Sequence, residues 1–255
     1  MNFELSEEQK MIQQNVERFV QDNYDLPKRV ELSSQDPGYS KDYWNSMAEL
    51  GWLGLPFNEE DGGFGGNQID TLVIMEQFGK GLVLEPFLAN VVLGGGAIQM
   101  GGSEELKNEI LSSLIEGSKQ LTLAYAEQQS RFDLEDVATS ARKEGEKYII
   151  NGQKSMVLNA ESADHLVVVT RTSGSQVDEE GITLFLVDSD SKGLERNNFP
   201  TVDGLRASEI TFDNVEVSSE RMLGDLDKGF TILRTIANNA ILALCAEAVG
   251  AMEVL

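Results

Sequence analysis

The chain has 255 residues, 41% of them apolar and 25% charged, a composition that excludes disorder and allows one or two domains with a proper core. Its 43 acidic residues against 20 basic ones give a net charge of −23, which argues against nucleic acid and against an anionic membrane surface, since both need clustered Lys and Arg. One cysteine, Cys245, and one histidine, His165, exclude an internal disulfide and a cysteine-based metal site, and leave little for His-based catalysis.

The segment Met1 to Leu5 has neither a basic stretch nor an apolar run, so no signal peptide is expected. No apolar run reads as long enough to span a membrane, and a cytoplasmic location is the expectation. Ser6 and Gln9 fit a capping box, and Ile12, Val16, Phe19 and Val20 then share one helical face. Tyr43, Trp44, Met47 and Leu50 predict a second helix closed by Gly51. Leu72, Val73, Met75, Glu76 and Phe78 predict a third, ended by Gly79. Ser103 caps a fourth, with Leu106, Ile110, Leu111 and Leu114 apolar and Gly117 past its end. The glycine runs Gly62–Gly66 and Gly94–Gly96 lack phosphate-loop spacing and read as flexible loops.

Near Gln120 the pattern turns to strands. Leu121 to Tyr125, Leu166 to Thr170, Ile182 to Val187 and Glu209 to Phe212 are candidates. Asn151-Gly152 between two β-like runs predicts a hairpin turn. The polar stretch Thr172 to Gly181 reads as a loop. Helical spacing returns after Lys228, from Phe230 to Met252, and shows no stop before Leu255, which suggests a longer protein. Cys245 lies in this apolar run and is expected in the core. The order of blocks is α+β: a helical domain over 1–118, a β-barrel-like domain over 119–226, and the first helix of a further helical bundle over 227–255.

Five strings in order carry a family resemblance. They are Leu53-Gly54-Leu55-Pro56 running into Glu60 to Gly66; Gly102 to Lys107; Leu123-Ala124-Tyr125-Ala126-Glu127 with Asp133; Ile150 to Lys154 with Asn159; and Gly204 to Ser208 leading to Phe212, Val215, Val217 and Leu223-Gly224. Together they span nearly the whole chain and resemble the acyl-CoA dehydrogenases, closest in wording to small subunits of heteromeric enzymes of the pimeloyl-CoA dehydrogenase type. The resemblance implies FAD between the β domain and the bundle and an acyl-CoA substrate beside it. It also implies a carboxylate as base for the α-proton and hydride transfer to the flavin. An electron-transfer flavoprotein as partner, and a homodimer or hetero-oligomer with another dehydrogenase subunit, follow from the same likeness. The bulkier or dicarboxylyl acyl groups of the pimeloyl type are a further hint.

Carried over residue by residue, the cofactor strips fall on Leu123, Tyr125 and Ala126 and on Met156, Val157 and Leu158. Ala126 stands where the family has a flavin-bonding Thr, and Met156 and Leu158 replace its Trp and second Thr. Arg131 and Phe132 fall where the substrate arm is contacted, with Phe132 in place of a Ser; Ile241 stands where many members have Arg. The usual base lies beyond Leu255, and the minority position falls near Ala240, which is not acidic. Glu247, on the same helical face, is the candidate base or polar partner, against the plainer reading of an ion pair at an interface. Arg206 and Glu127 read as structural. No metal site is expected. The implied activity is acyl-CoA dehydrogenation; the rivals are a non-catalytic partner subunit and a stand-alone binding module.

Overall fold

The computed structural model describes residues 4–255; Met1 to Phe3, part of the signal-peptide reading, lie outside them. The first block comprises α1 (Glu7–Asn23), α2 (Leu26–Ser33), α3 (Lys41–Glu49), α4 (Gln68–Gly81), a π-helix (Leu88–Gly95) continued by α5 (Gly96–Gly101), and α6 (Glu104–Ile115). The capping box at α1 is formed: Gln9 N–H donates to Ser6 Oγ at 3.1 Å and Ser6 N–H to Gln9 Oε1 at 3.0 Å. The apolar helical faces meet in one core that includes Val16, Val20, Trp44, Met47, Ile74 and Leu114. Edge-to-face rings tie it together, Phe19 to Trp52 at 5.2 Å and Phe78 to Phe87 at 5.5 Å.

Two glycine expectations fail for one reason. α4 does not end at Gly79 but runs to Gly81 and closes at Leu82 in a left-handed conformation. Gly94–Gly96 is helical, not a loop. Glycine serves close packing at these places. A Cβ at Gly79 would stand 1.9 Å from the carbonyl oxygen of Glu247, and one at Gly94 2.6 Å from Leu121 Cβ. The missing side chain reads as a break in sequence and acts as a contact in the fold. Gly62–Gly66 is the loop expected.

The second block has β1 (Leu121–Ala124), β2 (Ser140–Glu144), β3 (Lys147–Leu158), β4 (His165–Arg171), β5 (Ile182–Asp188), β6 (Leu194–Pro200), β7 (Arg206–Ser218) and β8 (Met222–Leu223). They form one mixed sheet in the order β6-β7-β3-β2-β4-β5-β8, with β1 parallel to β4. Among the described residues β6 and β8 do not pair, so the barrel-like domain is an open sheet. β4 is buried on both faces: Val167 and Val169 join the helical core, Leu166 and Val168 a second core with Ile150, Phe185 and Phe212. The expected Asn151-Gly152 turn is not a turn. β3 runs straight through it with a register shift, and the chain reverses instead at Gly145, φ 62°. At Gly152 an added Cβ would lie 2.6 Å from Thr139 Cα, so glycine again answers a close approach. β2 and β6 went unread because their residues are mostly polar and exposed.

Helix α7 (Phe230–Glu253) packs against α4 through backbone contact. A Cβ at Gly250 would stand 1.8 Å from the carbonyl oxygen of Glu76, mirroring the contact at Gly79. By length and apolar composition α7 passes the measure for a membrane-crossing helix, contrary to the expectation that no run does. It nevertheless buries Phe230, Leu233, Ile236, Ala240 and Ala243 against the rest of the chain. Cys245 lies off this buried face and is exposed, not in the core as expected.

Candidate active-site cleft

Where the helical block, the sheet and α7 meet, a cleft of about 340 Å³ opens. Leu123 and Tyr125 of the β1 exit, Arg131 and Phe132 of the following turn, and Leu158 at the end of β3 form one wall. Leu88 and Leu93 of the π-helix and Ala240, Ile241 and Leu244 of α7 form the other. Leu123, Tyr125, Leu158, Arg131 and Phe132 are thus brought together, while Ala126, Met156 and Val157 do not line the cleft. Val157 packs into the second core of the sheet. Met156 is half exposed at a register shift with φ 52°, which breaks the alternation that would otherwise set it on the same face as Leu158, so only Leu158 of that strip lines the cleft. Phe132 is 97% exposed at the mouth.

A buried ion pair holds this wall. Lys154 Nζ lies 2.7 Å from Glu127 Oε1 and donates to the Tyr125 carbonyl at 3.1 Å. Glu127 also accepts from the N–H groups of Ala138 at 2.9 Å and Thr139 at 3.0 Å and from Gln129 Nε2 at 2.7 Å. Burial pushes the Lys154 ammonium down to about 8. Burial pushes Glu127 up, but the Lys154 charge and these hydrogen bonds outweigh it and hold the carboxyl below its usual range. Ser155 N–H donates to the Ala126 carbonyl at 2.9 Å. The β1 exit is therefore fastened to β3 at three successive residues. Glu127 is structural, as its sequence context suggests; the burial of Lys154 was missed, because a lone Lys in a β-run reads as an edge residue.

A second cavity of about 220 Å³ adjoins the cleft and shares Leu88, Leu158 and Leu244 with it. Its walls are mainly apolar, with Met75, Phe78, Phe87 and Leu205 among them, and its polar side chains are Tyr39, Glu85, Asn159, Asp203, Arg206 and Glu247; the Tyr39 hydroxyl accepts from Gln120 Nε2 at 2.7 Å. Glu247 therefore lies not in the cleft, as expected of a base, but one cavity further along α7. Seven residues separate it from Ala240, about 10 Å along a straight helix. Arg206 is structural: it donates to the carbonyls of Ser33 at 3.2 Å and Gln35 at 3.0 Å, tying the sheet to α2. Asn159 Nδ2 donates to Gln120 Oε1 at 2.7 Å. Asp203 accepts from the Thr201 hydroxyl. Glu85, 5% exposed, accepts from the Tyr24 hydroxyl and from Ser40 N–H at 3.1 Å. Burial pushes its carboxyl up to about 7. Sequence reading passed over Glu85, although the string Leu82-Val83-Leu84-Glu85-Pro86-Phe87-Leu88 carries the signal that singled out Glu247, an acid within an apolar run. Glu247 is half-buried and receives no hydrogen bond or counter-ion among the described residues. Burial and then the Asp203 charge push its carboxyl up.

A helical block, a mixed sheet and a long helix thus enclose an apolar cleft. Family models of the acyl-CoA dehydrogenase N-terminal and middle domains match residues 6–118 and 122–215. A probable acyl-CoA dehydrogenase, YngJ, of Bacillus subtilis is 32% identical over 98% of the chain, which covers 67% of that relative. The solved FAD complex of PigA superposes with a TM-score of 0.90 at 25% identity, over 100% of this chain and 67% of that one. The ChsE4-ChsE5 complex of Mycobacterium tuberculosis shares the fold, with a TM-score of 0.87 at 21% identity over 100% of this chain and 66% of that one. The chain belongs to the acyl-CoA dehydrogenase family, whose members are FAD-dependent flavoprotein oxidoreductases. It spans about two thirds of the length of the relatives it matches.

The cleft suits a flat ring by burial. Leu123, Tyr125 and Leu158 would hold FAD by contact along one wall. Polar purchase is thin. The Tyr125, Ala126 and Leu158 carbonyls are already occupied, the last by the Thr122 hydroxyl at 2.6 Å. The side chains of Ala126, Met156, Val157 and Leu158 bring no hydrogen-bond donor.

Proposed function

We propose that this chain is an acyl-CoA dehydrogenase subunit taking part in α,β-dehydrogenation of an acyl thioester, in an assembly with a second dehydrogenase chain. The observation that carries this reading is the apolar cleft between β1, β3, the π-helix and α7. It is walled by Leu88, Leu123 and Leu158, with the exposed Phe132 at its edge. FAD, when bound, accepts the hydride. The chain's own residues bind and orient: the leucine walls exclude water from the reacting carbons. Arg131 at the mouth offers a cation to the phosphates of coenzyme A, and Phe132 covers the thioester arm. Among the described residues the cleft's one carboxylate, Asp133, is exposed, so the base for the α-proton comes from outside these residues, from further sequence or from the second chain. An electron-transfer flavoprotein takes the electrons onward.

Visible absorption of the purified protein, alone and co-expressed with a second dehydrogenase chain, tests this. Flavin in the complex, with turnover of an acyl-CoA, supports it. Flavin in neither preparation sinks it and favours the second reading, a non-catalytic partner subunit. What favours that alternative is the loss of side-chain donors at Ala126, Met156 and Leu158.

A further inference from the structure

The cavity beyond the cleft is where the acyl group would end, and its chemistry is uneven. Two leucines of the walls, Leu88 and Leu244, and Leu158 of β3 face both spaces. A chain lying along them from Ala240 toward Glu247 covers about 10 Å, the reach of about eight carbons. At the far end, Glu85, Asn159, Asp203 and Arg206 already have partners within the protein. Glu247 has none. It is fixed in place because the backbone that carries it is pressed against Gly79 of α4. A half-buried carboxylate without a donor leaves a strong hydrogen-bond acceptor unused, and such a group costs stability unless something arrives to satisfy it.

We propose that Glu247 is a specificity-determining residue that receives a hydrogen-bond donor, a hydroxyl or an ammonium, at the far end of the acyl group. This rests on the acyl-thioester reading above and deepens it. It also turns away from the dicarboxylyl substrates that the pimeloyl-type likeness hints at. A terminal carboxylate would meet Glu247 and Asp203, while the Arg206 guanidinium that might offset them is committed to the carbonyls of Ser33 and Gln35. A terminal methyl would leave Glu247 buried deeper and still unpaired.

The test is calorimetric binding to the co-expressed complex of four coenzyme A thioesters of equal length: octanoyl, 8-hydroxyoctanoyl, 8-aminooctanoyl and the 8-carboxylate, suberoyl. The hydroxy or amino ligand is expected to bind about tenfold more tightly than octanoyl-CoA, the size of one hydrogen bond to a charged acceptor. Suberoyl-CoA is expected to bind most weakly. In Glu247→Leu the ratio between hydroxy- and methyl-ended ligands should collapse to within about twofold; Glu247→Gln, which keeps shape and an acceptor, should retain part of it. A melting curve of each variant establishes that it is folded. Octanoyl-CoA binding as tightly as the donor-ended ligands, suberoyl-CoA binding best, or a ratio that survives Glu247→Leu overturns the inference while leaving the thioester reading intact. Failure of all four ligands to bind overturns the thioester reading itself, and this inference with it.

Discussion

Two places in this molecule bury charge, and they treat it differently. Under the β1 exit, Glu127 and Lys154 meet each other, Glu127 accepts from three further donors and Lys154 donates also to the Tyr125 carbonyl. Arg171 nearby is treated the same way, donating to the carbonyls of Glu135, Gln176, Asp178 and Glu180 at 2.7–2.8 Å. On the α7 side, Glu85 is held by two donors but pushed toward neutrality, and Glu247 is held by none. A charge whose bonds are complete is scaffold: it fixes where the wall stands. A charge whose bonds are incomplete is what a ligand can complete.

The contrast is sharpest where a bond is removed. Lys154→Met should cost about 3–5 kcal/mol, because it strands Glu127 in the interior without its counter-charge. Urea unfolding at pH 7 measures it, and a loss below about 1 kcal/mol would show that the first region is no more committed than the second. Glu85 should give the next largest effect, read through pH. Its carboxyl rises from 4.5 to about 7 on folding, so between those values the folded state holds the proton that the unfolded chain releases. Stability present below the lower value is lost as pH climbs through the upper one, by about 3 kcal/mol in all. Glu85→Gln, which mimics the protonated acid, should flatten that slope in unfolding curves taken across the interval; an unchanged slope would mean Glu85 is ionised as firmly as Glu127.

Gly250→Ala attacks the placement of the second region and not its charge. The new Cβ collides with the Glu76 carbonyl, and a cost of about 1–3 kcal/mol is expected in melting experiments. Least of all should come from Glu247→Gln in the unliganded protein, a change within about 0.5 kcal/mol, since no partner is lost. A drop of more than about 1 kcal/mol would reveal a partner and erase the distinction between the two regions.

The residues that could be read from the chain are those whose role is local. The capping box at Ser6 and Gln9, the left-handed stops at Gly51 and Gly117, and the leucine faces of the helices each declare themselves within one turn. That Leu123, Leu158, Arg131 and Phe132 come together at one cleft follows from strings that occur in a known order. What escaped depends on distant neighbours. Gly79, Gly94 and Gly152 look like breaks, and only the backbone pressed against each shows otherwise. Lys154 looks solvated until Glu127, brought over it by the segment that follows β1, accounts for its burial. Glu247 was found by its apolar context, but its cavity was misjudged, since a helix period gives the face and not what stands opposite.

The crossing of α4 and α7 leaves little freedom to slide. Gly79 sits on the Glu247 carbonyl and Gly250 on that of Glu76, two reciprocal notches one helical turn apart on α7. A shift of a fraction of a turn would drive backbone into backbone. The depth of the second cavity therefore cannot drift by small movements of its wall. Within a frame of fixed width, its depth is set by the side chains that project into it.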